Sequence, residues 1–279
     1  MATTISYQTG ATLADLEQIK RKQRDAWGAG DFAVVARHTV FPGELLCETA
    51  DIRAGEHVLD VATGSGNAAL SAARRGAMAA GVDYVPELLE WGRKRAAAEQ
   101  VSVDFREADC EALPLPDASF DVVMSMFGAM FAPNHHRAAD ELVRVCRQNG
   151  RIALANWTPD GFWGRVFALQ SKYIPPAPGW TAPTAWGTED HLRSLFGDRV
   201  ELDRSRLRSA DFNYASADDW LDFFATYFGP ILKAFERLGK YQRDAFAAEL
   251  KQLTEQFNCA NDGGLVVRAE YLEVVMTKR

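Results

Sequence analysis

Cysteine is scarce in this chain. The four present (Cys47, Cys110, Cys146 and Cys259) are scattered, with no Cys-x-x-Cys pair and no histidine at ligand spacing. That pattern argues against a disulfide framework and against a zinc site, and no metal is expected. Positive charge is also short: 31 lysines and arginines stand against 38 acidic residues, for a net charge of -7. Such a surface repels a phosphate backbone, so no nucleic-acid partner is expected. Long apolar runs are missing as well. The longest, Val122 to Ala132, is broken by Ser125 and Gly128 and falls short of the ~18 residues of a spanning helix. Met1 to Glu17 has neither a basic nor an apolar leader region, so no secretory signal is expected and a reducing cytoplasm is the expected compartment.

What the chain does have is a globular composition, 47% hydrophobic and 25% charged, over 279 residues. That is enough for one elaborated domain or two small ones with a real core. Leu13, Leu16, Ile19, Gln23 and Trp27, then Val34 and Val35, predict two short helices broken at Gly28 to Asp31. From His57 the texture changes to short apolar runs: Val58–Val61, Ala79–Val82, Val101–Phe105, Phe120–Met124 and Ile152–Asn156. Helical stretches lie between them, including Glu87 to Gln100 after Pro86, and His135 to Gln148 capped by Asn134. Strands alternating with helices predict a parallel sheet.

Past Trp157 the alternation fails in a Pro- and Gly-rich stretch crowded with Phe162, Trp163, Phe167, Tyr173, Trp180 and Trp186. A short helix, Glu189 to Phe196, and a strand, Arg199 to Phe212, follow. Helices over Ala217–Phe228, Pro230–Leu238 and Tyr241–Phe257 and a last strand, Leu265 to Thr277, complete the reading. The aromatic residues of both helical excursions, with Trp220, Phe223, Phe224, Tyr227 and Phe228, either pack helices onto the sheet or roof a flat, hydrophobic ligand at the carboxyl ends of the strands.

The chemistry centres on Asp60 to Asn67, where Gly64-x-Gly66 turns the chain between a predicted strand and a predicted helix. Glycine allows the tight turn, and free amides at a helix start favour a polar or anionic group. Asp83 ends the next strand 19 positions after Gly64, near the ~20-residue spacing at which a carboxylate meets ribose hydroxyls. Its alternative is a plain capping role before Pro86. Gly64-x-Gly66-x-x-Ala69 also satisfies the loose dinucleotide fingerprint. Against that reading, Asp60 places a negative charge where a pyrophosphate would be repelled and a sulfonium or ammonium attracted.

Together with Asp109-Cys110 after the third strand, Phe120-Asp121-Val122-Val123 as the fourth strand and Asn149-Gly150-Arg151 ahead of the fifth, these motifs make the chain resemble a class I S-adenosylmethionine-dependent methyltransferase. It is similar to the branch with the ubiquinone and menaquinone biosynthesis enzymes and many small-molecule methyltransferases. The likeness is strong from about Gly55 to Trp157. Ala62 replaces the family's first glycine, and Gln148-Asn149-Gly150 its usual Pro-Gly-Gly.

The resemblance implies a Rossmann-like α/β fold: a seven-stranded sheet, six strands parallel and the last antiparallel beside the fifth. A helical cap over residues 1–54 would precede a methyltransferase domain at 55–279, with lid insertions near 159–188 and 213–262. It also implies S-adenosylmethionine as cofactor, bound at the glycine loop from Asp60 to Gly66, with backbone around Ala62, Gly64 and Gly66 cradling the methionine part. Asp83 would lie at the ribose, Asp109 and Cys110 at the adenine, Ser125 and Met126 at the methionine amine, and Tyr84 would also bind the cofactor. Trp27 either closes over the cofactor or packs its helix. The acceptor implied is a small, aromatic or hydrophobic molecule methylated by direct displacement. A base is optional in such a reaction, and His135, His136 and His191 are the candidates if one is used. The alternatives are a nicotinamide-dependent reductase and a protein that binds S-adenosylmethionine without turnover.

Overall fold

A computed structural model describes residues 13–177 and 180–279. The reading of the first dozen residues, including the start of the proposed cap, lies outside these, as do Pro178 and Gly179. The chain begins with α1 (Leu13–Trp27), α2 (Phe32–Ala36) and α3 (Val40–Thr49), then enters the sheet at β1 (His57–Val61). There follow α4 (Asn67–Arg74), β2 (Met78–Asp83), α5 (Pro86–Glu99), β3 (Val103–Glu107), β4 (Phe120–Met126), α6 (His135–Val145) and β5 (Cys146–Trp157). The second part comprises α7 (Phe162–Tyr173), α8 (Glu189–Phe196), β6 (Val200–Tyr214), α9 (Ala217–Tyr227), α10 (Gly229–Arg237), α11 (Lys240–Gln256) and β7 (Leu265–Lys278).

The seven strands form one sheet in the order β3-β2-β1-β4-β5-β7-β6. Neighbours from β3 to β5 run parallel, and β7 inserts antiparallel between β5 and β6. This is the expected Rossmann-like sheet with six strands parallel and one opposed. The strand order reverses between β1 and β4, so a crevice opens beyond their carboxyl ends, where open α/β sheets bind ligands. The sheet centre is largely apolar: Val58, Leu59, Val122, Val123, Ile152 and Leu154 have no exposed surface. Strands buried on both faces read as continuous hydrophobic runs, which is why β1, β4 and β5 stood out in the sequence.

Local chemistry sets the helix starts. The side chains of Asn134, Thr188 and Ser216 accept from the amides of Arg137, His191 and Asp219, capping α6, α8 and α9. One expectation needs correction. The helix read as His135 to Gln148 stops at Val145, because Cys146 already pairs with Phe120 of β4 and Asn149 takes a left-handed φ of 59°. Sheet pairing there overrides helix propensity. The stretch after Trp157, read as a helical excursion with no bounds given to its helix, contains α7. Its start is packed so tightly that a Cβ on Gly164 would lie 2.2 Å from the Pro159 carbonyl oxygen. Among the described residues, no helix is long and apolar enough to cross a membrane.

Candidate active site

The loop after β1 is shaped by its backbone. Ala62, Gly64 and Gly66 all have positive φ, of 55°, 56° and 88°. Gly66 opens α4, and a Cβ there would press within 2.8 Å of the Phe105 ring. Asp60, buried beneath the loop, accepts from the Thr63 hydroxyl (2.6 Å) and the Ala69 amide (3.0 Å) through one carboxylate oxygen. The other oxygen has no hydrogen-bond partner among the described residues. Burial pushes its pKa up to about 7, and the nearby Asp83 charge adds to this.

Asp83, at the carboxyl tip of β2, accepts from the Gly64 amide with one oxygen and the Val85 amide with the other, each at 2.9 Å. It thus ties the glycine loop to the start of α5. Burial raises its pKa to about 6 despite these bonds. The turn-stabilising role is therefore seen directly.

Above this loop lies a cavity of about 230 Å³. Ala62, Gly64, Asp83, Tyr84, Asp109 and Cys110 form its floor, and α1 covers it with Lys20, Gln23, Arg24 and Trp27. The cover is latched. Lys20 Nζ bonds Asp109 at 2.6 Å and Glu111 at 2.8 Å, Arg24 bonds Glu107 at 2.8 Å, and Gln23 donates to the Phe131 carbonyl at 3.0 Å. Burial works against the Lys20 ammonium, but its bonds to the two carboxylates outweigh this and raise its pKa.

A second chamber, of about 80 Å³, adjoins the first. The two share Trp27, Phe32, Ala62, Gly64, Phe127 and Phe131. Beyond these, Trp157, Trp163, Phe167, Phe212 and Phe228 make the chamber aromatic, and no titratable side chain lines it among the described residues. Phe127 is held there with a left-handed φ of 53°, its ring stacked on Trp157 at 3.8 Å between centroids and 4° between planes. Its amide donates to the Ala155 carbonyl, fixing the loop after β4 to β5.

The sequence candidates divide among these places. Trp27 reaches both spaces, while Ala62, Gly64, Asp83, Tyr84, Asp109 and Cys110 meet at the first cavity. Asp60 and Gly66 line neither and act from beneath the loop. Met126 borders the aromatic chamber. Ser125 is buried, donating to the Val61 carbonyl and accepting from the Ala129 amide, both at 2.8 Å, and lines neither space. The histidines are not brought to the site. His135 and His191 bond each other at 2.9 Å between α6 and α8, and burial drives the His135 pKa down to about 3. His136 lines neither cavity. Of the proposed roof, Trp186, Trp220 and Phe224 are wholly buried core. Lys20, Arg24, Phe127 and Phe131 were not singled out by the sequence reading. The Phe-Gly-x-x-Phe spacing immediately after β4 was the available signal for the last two.

Residues 59–154 match the family model described as a methyltransferase domain. An uncharacterised protein of Mycobacterium tuberculosis is 40% identical over 254 residues, covering 89% of this chain and 91% of that one. The demethylmenaquinone methyltransferase of Deinococcus radiodurans is 38% identical over 126 residues, covering 44% of this chain and 52% of that enzyme. The chain belongs to the class I S-adenosylmethionine-dependent methyltransferases. Among solved structures, a putative methyltransferase from Bacillus halodurans shares the fold with a TM-score of 0.59 at 21% identity, covering 84% of this chain and 97% of that one. This methyltransferase is thus an enzyme with S-adenosylmethionine as its cofactor, and neither the reductase nor the non-catalytic alternative finds support.

Proposed function

We propose that the enzyme methylates a small, aromatic or hydrophobic organic acceptor by direct displacement, with the cofactor in the larger cavity and the acceptor in the aromatic chamber. The observation that carries this reading is the shared wall. Trp27, Phe32, Ala62, Gly64, Phe127 and Phe131 border both spaces, so molecules occupying the two would meet across that boundary.

The residues present fit the cofactor. Asp83 lines the cavity, and with its carboxylate anchored by the amides of Gly64, Val85 and Tyr84 it still offers an acceptor to ribose hydroxyls. Asp109 offers an acceptor for an adenine amino group once Lys20 yields part of its contact, and the loop from Ala62 to Gly64 lets backbone approach the methionine part. Asp60 supports that loop from below. In this scheme the described part of residues 1–54 is the cap, and the excursions near 159–188 and 213–262 contribute Trp163, Phe167 and Phe228 to the acceptor wall.

When bound, S-adenosylmethionine supplies a methyl group already activated on a positively charged sulfur. The chain's own part is to orient the acceptor and exclude water, which can supply much of the rate enhancement of an in-line transfer. Aromatic faces suit a flat acceptor and are favourable neighbours for a cation. With no titratable side chain on the chamber wall, the acceptor brings a nucleophile that is reactive without a protein base.

The test is incubation of the protein with methyl-labelled S-adenosylmethionine and separate pools of small organic metabolites, RNA and protein. Label is expected in the organic-extractable small molecules. Label confined to RNA or protein would overturn the reading.

A further inference from the structure

A third space, of about 290 Å³, runs between α1, α7 and α10 on the outer side of Trp27. Resting on the acceptor placement above, we propose that this groove binds the outer part of the acceptor, and that the acceptor is an amphiphile: an apolar body ending in a carboxylate, sulfate or phosphate.

The first argument is continuity. Trp27 and Phe131 border all three spaces, and Phe167 borders both the groove and the aromatic chamber. Trp27 and Phe131 meet edge to face at 4.9 Å, and Phe131 meets Phe167 in the same way at 5.6 Å. The groove and the aromatic chamber therefore meet at these three shared rings. A ligand too long for the 80 Å³ chamber has its natural continuation there.

The second argument is the chemistry of the walls. The interior is apolar, with Ile19, Ala26, Ile174 and Trp180 beside the shared rings. The charged residues on the lining are Lys22 from α1 and Lys233 and Arg237 from α10; no acidic residue lines the groove among the described residues. This stands out in a chain of net charge -7. Lys22 and Arg237 have no ion-pair partner among the described residues, and Lys233 pairs only with Glu236, one turn away at 2.7 Å. An exposed pair of that kind is weak and easily exchanged for another anion. The two helices are held across the groove by Gln170 of α7, which donates to the Pro230 carbonyl at 3.2 Å, so the basic rim has a fixed partner wall. An apolar trough with a one-sign rim selects an amphiphile of the opposite sign over a neutral or cationic one.

The experiment titrates the full chain with dodecanoate, dodecanol and dodecylammonium below their aggregation limits. Calorimetry and quenching of tryptophan emission report binding, since Trp27 and Trp180 line the groove. S-adenosylhomocysteine affinity is measured on the same samples. Dodecanoate is expected to bind about tenfold more tightly than dodecylammonium at low salt, with the preference shrinking at high salt. The double variant Lys22→Glu, Arg237→Glu is expected to reverse the order while S-adenosylhomocysteine affinity stays within about twofold. Equal binding of the three probes, or a preference that survives the charge reversal, would overturn the proposal. So would binding to phosphatidylglycerol vesicles without binding of monomeric dodecanoate. If the unaltered chain fails to bind S-adenosylhomocysteine, the acceptor placement itself fails, and this proposal falls with it.

Discussion

The two halves of the site are built by different means. Around β1 and β2 the cavity is shaped by main chain: positive φ at Ala62, Gly64 and Gly66, and a carboxylate that ties Gly64 to Val85. Around α7, α9 and α10 the neighbouring chamber is shaped by side-chain volume. Trp163 alone meets Phe162, Phe167, Phe212, Phe224 and Phe228 with ring centroids within 6 Å. Backbone geometry fixes one ligand's shape and tolerates little change. Ring packing fills space with interchangeable parts, so that half can be retuned to a new acceptor while the cofactor half stays constant.

The largest expected effect breaks the comparison on the side of packing. Trp186 is fully buried and lines neither site cavity, so Trp186→Ala should cost roughly 3 to 5 kcal/mol of stability while the folded fraction keeps its cofactor affinity. Trp163→Ala should cost a similar amount and also widen the acceptor chamber. Thermal unfolding beside calorimetry with S-adenosylhomocysteine separates the two readouts. Lost cofactor affinity in a Trp186→Ala protein of normal melting temperature would place that ring at the site instead.

On the cofactor side, Asp83→Ala should remove the charged acceptor for two hydroxyls, worth roughly 1.5 to 3 kcal/mol, or about tenfold to over a hundredfold in affinity. The effect carries a pH signature. Because the Asp83 pKa is raised to about 6, its contribution to folding is fully present below the ordinary carboxylate value and is lost as pH rises through 6. The ionised form is the better acceptor for hydroxyls. S-adenosylhomocysteine should therefore bind about tenfold more tightly at pH 7.5 than at pH 5, the ratio expected for a group titrating near 6. Asp83→Asn should flatten that profile, and a profile unchanged in the variant would assign the titration to Asp60, whose pKa is near 7.

The smallest effect sharpens the comparison at a single position. Ala62 holds a left-handed φ of 55°, a conformation that costs an L residue roughly 1 to 2 kcal/mol and glycine little. Glycine's extra freedom in the unfolded chain offsets part of the gain. Ala62→Gly should therefore stabilise by about 1 kcal/mol or less, with cofactor binding retained. A drop in melting temperature would mean that the Ala62 methyl packs usefully against the loop at Gly128.

The same contrast explains what the sequence disclosed. The glycine loop, Asp83 and the buried strands were legible because each answers a local rule: positive φ needs small residues, and strands covered on both faces need apolar runs. The bounds of α7 were not, because Gly161, Gly164 and a crowd of aromatics hide its period, and close packing against Thr158 and Pro159 is what requires those glycines. The histidines looked chemical by residue type alone, yet His135 and His191 bond each other away from both cavities. Lys20 was invisible for the opposite reason. Its role depends on α1 folding back onto the loop after β3, a contact across 89 positions that no local pattern announces.

The most direct test of a backbone-built cofactor cavity facing a ring-built acceptor chamber is a crystal structure of the protein with S-adenosylhomocysteine. The account expects both ribose hydroxyls on the Asp83 carboxylate and the sulfur turned toward the wall formed by Trp27, Phe127 and Phe131. A cofactor bound elsewhere, or one whose sulfur faces away from that wall, would contradict it.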